Sequence, residues 1–468
     1  MASVVLINPW NFHEENVRYT HERLQHIWRN APLGIVLLAT ELRQAGHEVA
    51  VCDLERDLVI NSGDLEITLA GMRRTLEKLQ PDFVGVTVIS IRYLEARRII
   101  NLCGEIRESA KGPFKIVAGN IHPTSEPELT LMDNPCLDAV FLGEADEPFC
   151  TLVSGTPIER VPGVALKQGK IVVRRPRWTA SNLDALPFPD WNFVDTGFYA
   201  APNFASHGRW LRPARSLDII CSRGCPYRCT FCVYNKERYR FNSPSYVIAN
   251  IEYMLDNFDI DSIYFLDSSI GNSRQQLIDI CRAITSRGLN SRFQWSANMR
   301  PNQVDEELLK LMWEAGCRKL LYGFESGSQR VLDAMKKGCT VEQNDQVVQL
   351  HRKLRFPYHA SMIMGFPGET KEDLEMTLRW LRSVRPPLVG INTYVPLPGS
   401  EDYVRLKMSG RIEVRDPYVW RLVGEVNNRN SPIFSNVSPK VFWEYFEKLN
   451  ALASELGNDA ESSWLREP

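Results

Sequence analysis

Over residues 1–153 short apolar runs alternate with longer stretches whose apolar positions recur at helical spacing. Residues 4–7, 48–52, 83–88, 114–118 and 139–142 read as strands. Residues 34–44, 65–79 and 94–109 read as amphipathic helices between them. Strands each followed by a helix predict a parallel sheet covered on both faces, a doubly wound, Rossmann-like α/β domain. Ligands of such sheets bind beyond the carboxyl ends of the strands.

From residue 154 to 215 the rhythm breaks. Proline is frequent, and only short extended pieces such as residues 170–173 stand out. Proline favours extended chain over helix, so this stretch reads as a connector packed across both domains. From 216 to 401 the alternation resumes with six strand patterns, at 217–221, 262–266, 293–297, 319–323, 359–364 and 388–393. Helix patterns fall between them, for example at 245–255, 275–286, 306–315 and 371–381. Six strand–helix units of about thirty residues predict a partial (β/α)6 barrel, with function at the C-terminal ends of its strands. Residues 402–468 form a helix-prone, aromatic extension with Tyr418, Trp420, Phe442, Trp443, Tyr445 and Phe446. Aromatic residues at helical spacing usually pack into a core; here they also suit a cap on the open side of the barrel.

Composition narrows the class. The 468 residues are 44% hydrophobic and 24% charged with a net charge of −2. That is ordinary for a globular protein and gives no general attraction to nucleic acid. No apolar run approaches the roughly 20 residues of a membrane span. Eleven cysteines without a secretory signal suggest a reducing, cytoplasmic setting.

Four of those cysteines, Cys221, Cys225, Cys229 and Cys232, crowd into the string CSRGCPYRCTFC just after the first barrel strand. The last three are spaced C-x3-C-x2-C. Three thiolates can hold three irons of a [4Fe–4S] cube and leave the fourth iron open to a small molecule, whereas closed electron-transfer clusters use four. A zinc tetrahedron also takes four thiolates, but its ligands usually come as two separated pairs. Disulfides would need an oxidising compartment. Cys221 stands as either a fourth ligand or a small apolar residue closing the strand.

The string RGCPYRCTFC, followed by YGFESGSQRVLDAMKKG, MIMGFPGET and PLPGSEDY, resembles the radical S-adenosylmethionine (SAM) enzymes. With the N-terminal strings APLGIVLLATELRQAGHEVAVCD, AGNIHPT and LGEADEPF, the chain is similar to the subgroup carrying an N-terminal cobalamin-binding-type domain. The likeness runs to about residue 402. It implies that Cys225, Cys229 and Cys232 hold a [4Fe–4S] cluster whose open iron chelates SAM. One electron then cleaves the sulfonium to a 5′-deoxyadenosyl radical, which takes a hydrogen from the substrate. The same likeness places Phe231 near the adenine and Asp267 near the methionine amine. It puts Asn298 and Arg300 after the third strand, with Arg300 on the carboxylate unless it pairs with Asp305. Glu325 falls at a ribose hydroxyl, and Gly365 where the backbone approaches the cofactor.

For a corrinoid, the resemblance points to Gly119, His122 and Thr124 after one strand and to Gly143 and Glu144 after another. Arg92 suits either the lower face or solvent. No D-x-H-x-x-G occurs, so no histidine is offered by motif as a lower axial ligand. The activity implied is cobalamin-dependent methylation of an unactivated carbon of a small-molecule substrate, fed by a donor such as flavodoxin or ferredoxin. Cyclisation, ring contraction or rearrangement with the same cofactors is the alternative. A corrinoid-free first domain and a protein that merely binds its ligand are the remaining readings.

Overall fold

The computed structural model describes residues 1–10, 31–109, 114–169, 171–201, 214–234, 237–413, 429 and 432–463. Tyr418 and Trp420 lie outside them, as do residues 202–213 of the connector. The chain divides into two compact units. One holds residues 1–198 with 397–399 and 403–424, and the other holds residues 199–396 with 400–402 and 425–468.

The first unit is built on strands β1 (Ser3–Asn8), β2 (Glu48–Asp53), β3 (Phe83–Thr87), β4 (Lys115–Gly119) and β5 (Ala139–Phe141). They are ordered 2-1-3-4-5 and all parallel. Helices α1 (Leu33–Gln44), α2 (Leu54–Ile60), α3 (Leu65–Leu79), α4 (Tyr93–Ser109), α5 (Ile121–Ser125), α6 (Pro127–Asp133) and α7 (Asp146–Val153) make the crossovers. The centres of β1, β3, β4 and β5 are buried on both faces, and the edge strand β2 is only partly covered. Val4, Leu6, Ile35, Ala39, Leu42, Val117, Phe141 and Phe149 meet in one core between the sheet, α1 and α7. Strand order reverses between β1 and β3, so the carboxyl edge of β1, β3 and β4 flanks the switch point where such sheets take ligands.

Within the connector, two short extended pieces, β6 (Val164–Gln168) and β7 (Ile171–Arg174), pair antiparallel and join β5 of the first sheet. Alternating apolar residues at Val164 and Leu166 find a buried face there, which outweighs the proline-rich surroundings.

The second unit has six parallel strands in sequential order: β8 (Ser216–Ile219), β11 (Ser262–Phe265), β12 (Gln294–Met299), β13 (Cys317–Glu325), β14 (Tyr358–Met364) and β15 (Leu388–Thr393). A two-residue ribbon, β9 (Ser222–Arg223) with β10 (Arg240–Phe241), closes the loop after β8. Between the strands lie α8 (Pro244–Asn257), α9 (Arg274–Ser286), α10 (Glu306–Glu314), α11 (Gln329–Ala334), α12 (Val341–Leu354) and α13 (Lys371–Val384). Two helices, α11 and α12, stand where a single crossover was expected. Thr340 caps α12 and Thr370 caps α13, each in a reciprocal box with the third helical residue. After α14 (Glu401–Met408), the long α15 (Pro439–Ser463) lies along β15 with Phe442, Tyr445 and Leu449 buried. The helix therefore packs its apolar stripe against the edge of the sheet.

Candidate functional site

Because β8 and β11 to β15 are parallel, the segments that leave their carboxyl ends share one rim. The cysteine loop leaves β8 on that rim, and backbone bonds hold it. Cys232 N–H donates to Cys229 O at 3.1 Å, and Thr230 N–H to Met335 O at 2.9 Å. The Thr230 hydroxyl donates to the Asp402 carboxylate at 2.7 Å. Arg300, leaving β12, reaches the loop: Nη1 donates to Cys229 Sγ at 3.4 Å, and Nη2 to Cys339 Sγ at 3.6 Å and to Lys337 O. The guanidinium stacks on the Tyr227 ring, 3.6 Å from its centre. Asn272 Nδ2 lies 4.0 Å from Cys225 Sγ. Gln303 ties this shell together, donating to Tyr227 Oη and Asn272 Oδ1 and accepting from Ser269 Oγ.

These contacts fit a cluster held as thiolates. Cys225 and Cys229 already receive N–H donors, from Asn272 and from the Arg300 guanidinium. Burial pushes the Cys232 thiol up to about 11, with Cys229 and Cys225 near enough to raise it further. Iron at the sulfur would take that proton away. Among the described residues no three His, Cys, Asp or Glu side chains are arranged to hold a single metal ion. In a cube each cysteine holds a different iron, so the three sulfurs need not converge on one point.

The remaining expected residues divide. Phe231 is half-buried in the loop. Asp267 does not face outward from the rim: it is 1% exposed and accepts from the Cys221 N–H at 3.2 Å and from the Ser222 hydroxyl. It holds the cysteine loop to β11 instead of waiting for an amine. Burial raises its carboxyl, and those two donors pull it back only in part. Cys221 is 1% exposed and lies two residues beyond β8, its thiol pushed well up by burial and by Asp267. Asn298 sits inside β12, accepting from Tyr264 Oη at 2.8 Å and donating to Asp267 O at 3.1 Å. Arg300 pairs with sulfur and not with Asp305, whose carboxylate meets Arg274 at 2.6 Å. Its two terminal nitrogens are engaged by Cys229, Cys339 and Lys337 O, while its buried Nε finds no acceptor among the described residues.

Glu325 ends β13 with φ +65°, a strained conformation for a side-chain-bearing residue. Its carboxylate meets Lys337 Nζ at 2.6 Å, with both side chains under a tenth exposed. The ribose role expected for Glu325 must share that carboxylate with a lysine. The following Ser326, Gly327 and Ser328 are tied to α13: Gly327 N–H donates to Thr377 Oγ1 at 3.0 Å and Ser328 Oγ to Asp373 at 2.6 Å. Burial alone would raise Asp373, but Arg330, Ser328 and Thr370 hold it at about 2. Gly365 follows β14 with φ +94°, and a side chain there would strike the Phe442 ring at 2.8 Å. Its N–H donates to Glu369 at 2.6 Å, and burial pushes that carboxyl up to about 8.

In the first unit the expected corrinoid residues mostly hold the sheet's own loops. His122 is fully buried, 3.1 Å from Ser90 Oγ and against the Tyr93 ring, and burial lowers it to about 3. It is not presented to a ligand. Thr124 Oγ1 accepts from Gly143 N–H at 2.9 Å, and Glu144 accepts from Ala180 N–H at 2.8 Å. A side chain on Gly143 would meet Trp178 O at 2.6 Å, so glycine is needed for chain packing there. Gly119 is half-buried at the end of β4, and beside it Asn120 is exposed with φ +91°. With half-buried Ile89, Ile91 and Arg92 after β3, they leave a mixed apolar and polar shelf that suits a broad amide-fringed ring.

Sequence reasoning passed over Tyr227, Asn272, Gln303, Lys337 and Glu369. Tyr227 lies within the cysteine string, Lys337 within YGFESGSQRVLDAMKKG and Glu369 within GFPGET, so all three carried a signal. Asn272 and Gln303 carried none.

Comparison with known proteins agrees with this architecture. The Radical SAM superfamily pattern matches residues 219–381, and the B12 binding domain pattern matches residues 29–153. An uncharacterized methyltransferase of Pyrococcus horikoshii is 30% identical over 378 residues, covering 79% of this chain and 77% of that protein. The anaerobic magnesium-protoporphyrin IX monomethyl ester cyclase of Rubrivivax gelatinosus is 28% identical over 367 residues, 74% of this chain; the match spans 61% of the cyclase. Among solved structures, the radical SAM methyltransferase TsrM of Kitasatospora setae, with cobalamin and a [4Fe–4S] cluster bound, superposes with a TM-score of 0.70. That match has 20% identity and covers 96% of this chain and 89% of TsrM. The chain belongs to the radical SAM superfamily, in the branch that joins a B12 binding domain to the barrel. It is an enzyme of that class, whose cofactors are a [4Fe–4S] cluster, SAM and cobalamin. No helix among the described residues is long and apolar enough to cross a membrane.

Proposed function

We propose that this enzyme is a cobalamin-dependent radical SAM methyltransferase acting on an unactivated carbon of a small molecule. The observation that carries the reading is the rim of the second unit. Three cysteines on one loop, two of them facing N–H donors, stand on the same rim as the glycine turn at Gly365. The methyltransferase names of the Pyrococcus and Kitasatospora relatives support transfer of a methyl group.

Cys225, Cys229 and Cys232 would hold the cluster, and the shelf beyond β3 and β4 would hold the corrinoid. When bound, these groups supply one-electron cleavage of SAM and a transferable methyl. The chain's own residues do the rest. Arg300 neutralises charge beside Cys229 and, through Tyr227 and Gln303, keeps the loop in one geometry. Asp267 anchors the start of that loop. Glu325 with Lys337, and Gly365 with Glu369, fix the turns after β13 and β14 where SAM would lie. Fixed positions count here, because a radical must meet its target carbon before it meets solvent. A flavodoxin or ferredoxin would deliver the electron.

The cyclase relative favours one other outcome, a rearrangement without methyl transfer. Incubating the reconstituted protein with reductant and SAM separates the two. Methylation predicts 5′-deoxyadenosine together with S-adenosylhomocysteine. 5′-Deoxyadenosine alone favours rearrangement, and neither product overturns the reading.

A further inference from the structure

The inside of the barrel carries a lysine, Lys319, with no counter-ion among the described residues. On β13, Tyr322 and Phe324 point outward to the helices: Tyr322 Oη lies 2.9 Å from His351 Nε2 on α12, and Phe324 packs edge-on against Trp380 of α13. Side chains alternate along a strand, so Lys319 and Leu321 point the other way, into the lumen. The same alternation appears on β14. Tyr358, Ala360 and Met362 are buried, while His359, Ser361 and Ile363 are half-exposed. Half-exposed Asn298, Leu321 and Asn392 face the same space, and Asn392 Nδ2 bonds Ser361 Oγ at 3.1 Å. Partial exposure on this face thus runs from Ile363 and Asn392 down to His359 and Leu321 and ends at Lys319 and Ser296.

Lys319 lies at that buried end. It is 1% exposed, and its ammonium has no hydrogen-bond or ion-pair partner among the described residues. Its register partner on β12 is Ser296, fully buried with an unpartnered hydroxyl. His359 on β14 lies near enough for its protonated form to be disfavoured by Lys319. Asp218 shares the row by register, but three strands away, about 14 Å along the sheet at ~4.8 Å per strand. Burial lowers Lys319 to about 7, as expected for a charge withdrawn from water with no anion beside it. Buried polar groups that lack partners are rare unless a ligand or water completes them.

We propose that the lumen is an acid-binding site, in which Lys319, with Ser296 and His359, receives the carboxylate, phosphonate or phosphate end of an elongated substrate. This rests on the radical SAM reading of the rim for the position of the other end. Lys319 lies six residues below Glu325, about 20 Å at ~3.3 Å per residue. The substrate is therefore long enough to present a carbon at the rim while its acid is held at the floor.

The test needs no turnover. Octanoate, octylphosphonate and octanol are titrated calorimetrically into the cluster-loaded protein and into Lys319→Met. The expected result is that at least one acid binds the unaltered protein more tightly than octanol does. That acid should lose roughly ten- to hundred-fold in affinity in Lys319→Met, the usual worth of a charged hydrogen bond. Octanol should bind both alike. Removing a buried cation without a partner should leave the fold at least as stable, and Lys319→Gln serves as the second variant. Acids that bind no better than octanol, or that bind Lys319→Met and Lys319→Gln as well as the parent, overturn the proposal. Neither result affects 5′-deoxyadenosine formation, and loss of that product would not alter acid binding, so the two readings fail separately.

Discussion

Arg300 Nη1 donates to Cys229 Sγ at 3.4 Å across 71 residues of sequence. A donor on a cluster sulfur stabilises the more reduced, more negative state, and such bonds are among the factors that set iron–sulfur potentials. Replacing Arg300 with Met keeps length and loses the donor. The cluster midpoint potential should fall, read by potentiometric titration with electron paramagnetic resonance. An unchanged potential would mean that the contact plays no part once iron is loaded.

Cys221 and Asp267 form the hinge between β8 and the cysteine loop. Cys221→Ala should keep its iron, since the link runs through the Cys221 backbone N–H and not the thiol. Alanine at Cys225, Cys229 or Cys232 should each remove most of it. Iron analysis after anaerobic reconstitution checks both, and iron loss in Cys221→Ala equal to the other three would assign Cys221 to the cluster.

Glu325 and Lys337 are buried together. Changing either alone leaves a buried charge without its partner, at a cost of about 3–5 kcal/mol. Glu325→Gln and Lys337→Met should each lower the urea midpoint of the barrel's unfolding, followed by tryptophan fluorescence. The double variant should recover most of the loss; additive losses would show that the pair is not coupled.

Glu369 has its carboxyl raised from 4.5 to about 8, chiefly by burial. Between those values the folded protein holds a proton that the unfolded chain releases. This contribution to stability is full below about pH 4.5, declines as pH rises and is gone above about pH 8. Unfolding free energy should fall across that window in the parent and less steeply in Glu369→Gln. Parallel profiles would mean that Glu369 does not titrate there.

Much of the scaffold could be read from periodicity. α3 and β11 lie where the apolar spacing put them, because the helix has a one-sided and the strand a continuous burial pattern that admits one reading. β7 could not be read so well, since its place depends on pairing with β6 and not on its own residues. The cysteines were legible through spacing alone. The direction of Asp267 and the target of Arg300 were not. A polar residue at a strand end can turn toward a ligand or toward its neighbouring loop, and only tertiary distance decides. Lys319 escaped notice because a single lysine in an apolar strand pattern looks like an interruption.

The Phe442 ring fills the space that a side chain at Gly365 would claim. Two distant stretches of chain thereby share one volume, and neither can change size alone. Shortening the protein before Pro439 would strip a wall from the turn after β14, although the barrel strands would all remain. A larger residue at 365 would have to push the last helix off the sheet. Phe442 is in this sense a stopper for the turn, and enlarging the space beside Gly365 by engineering would begin with that aromatic ring.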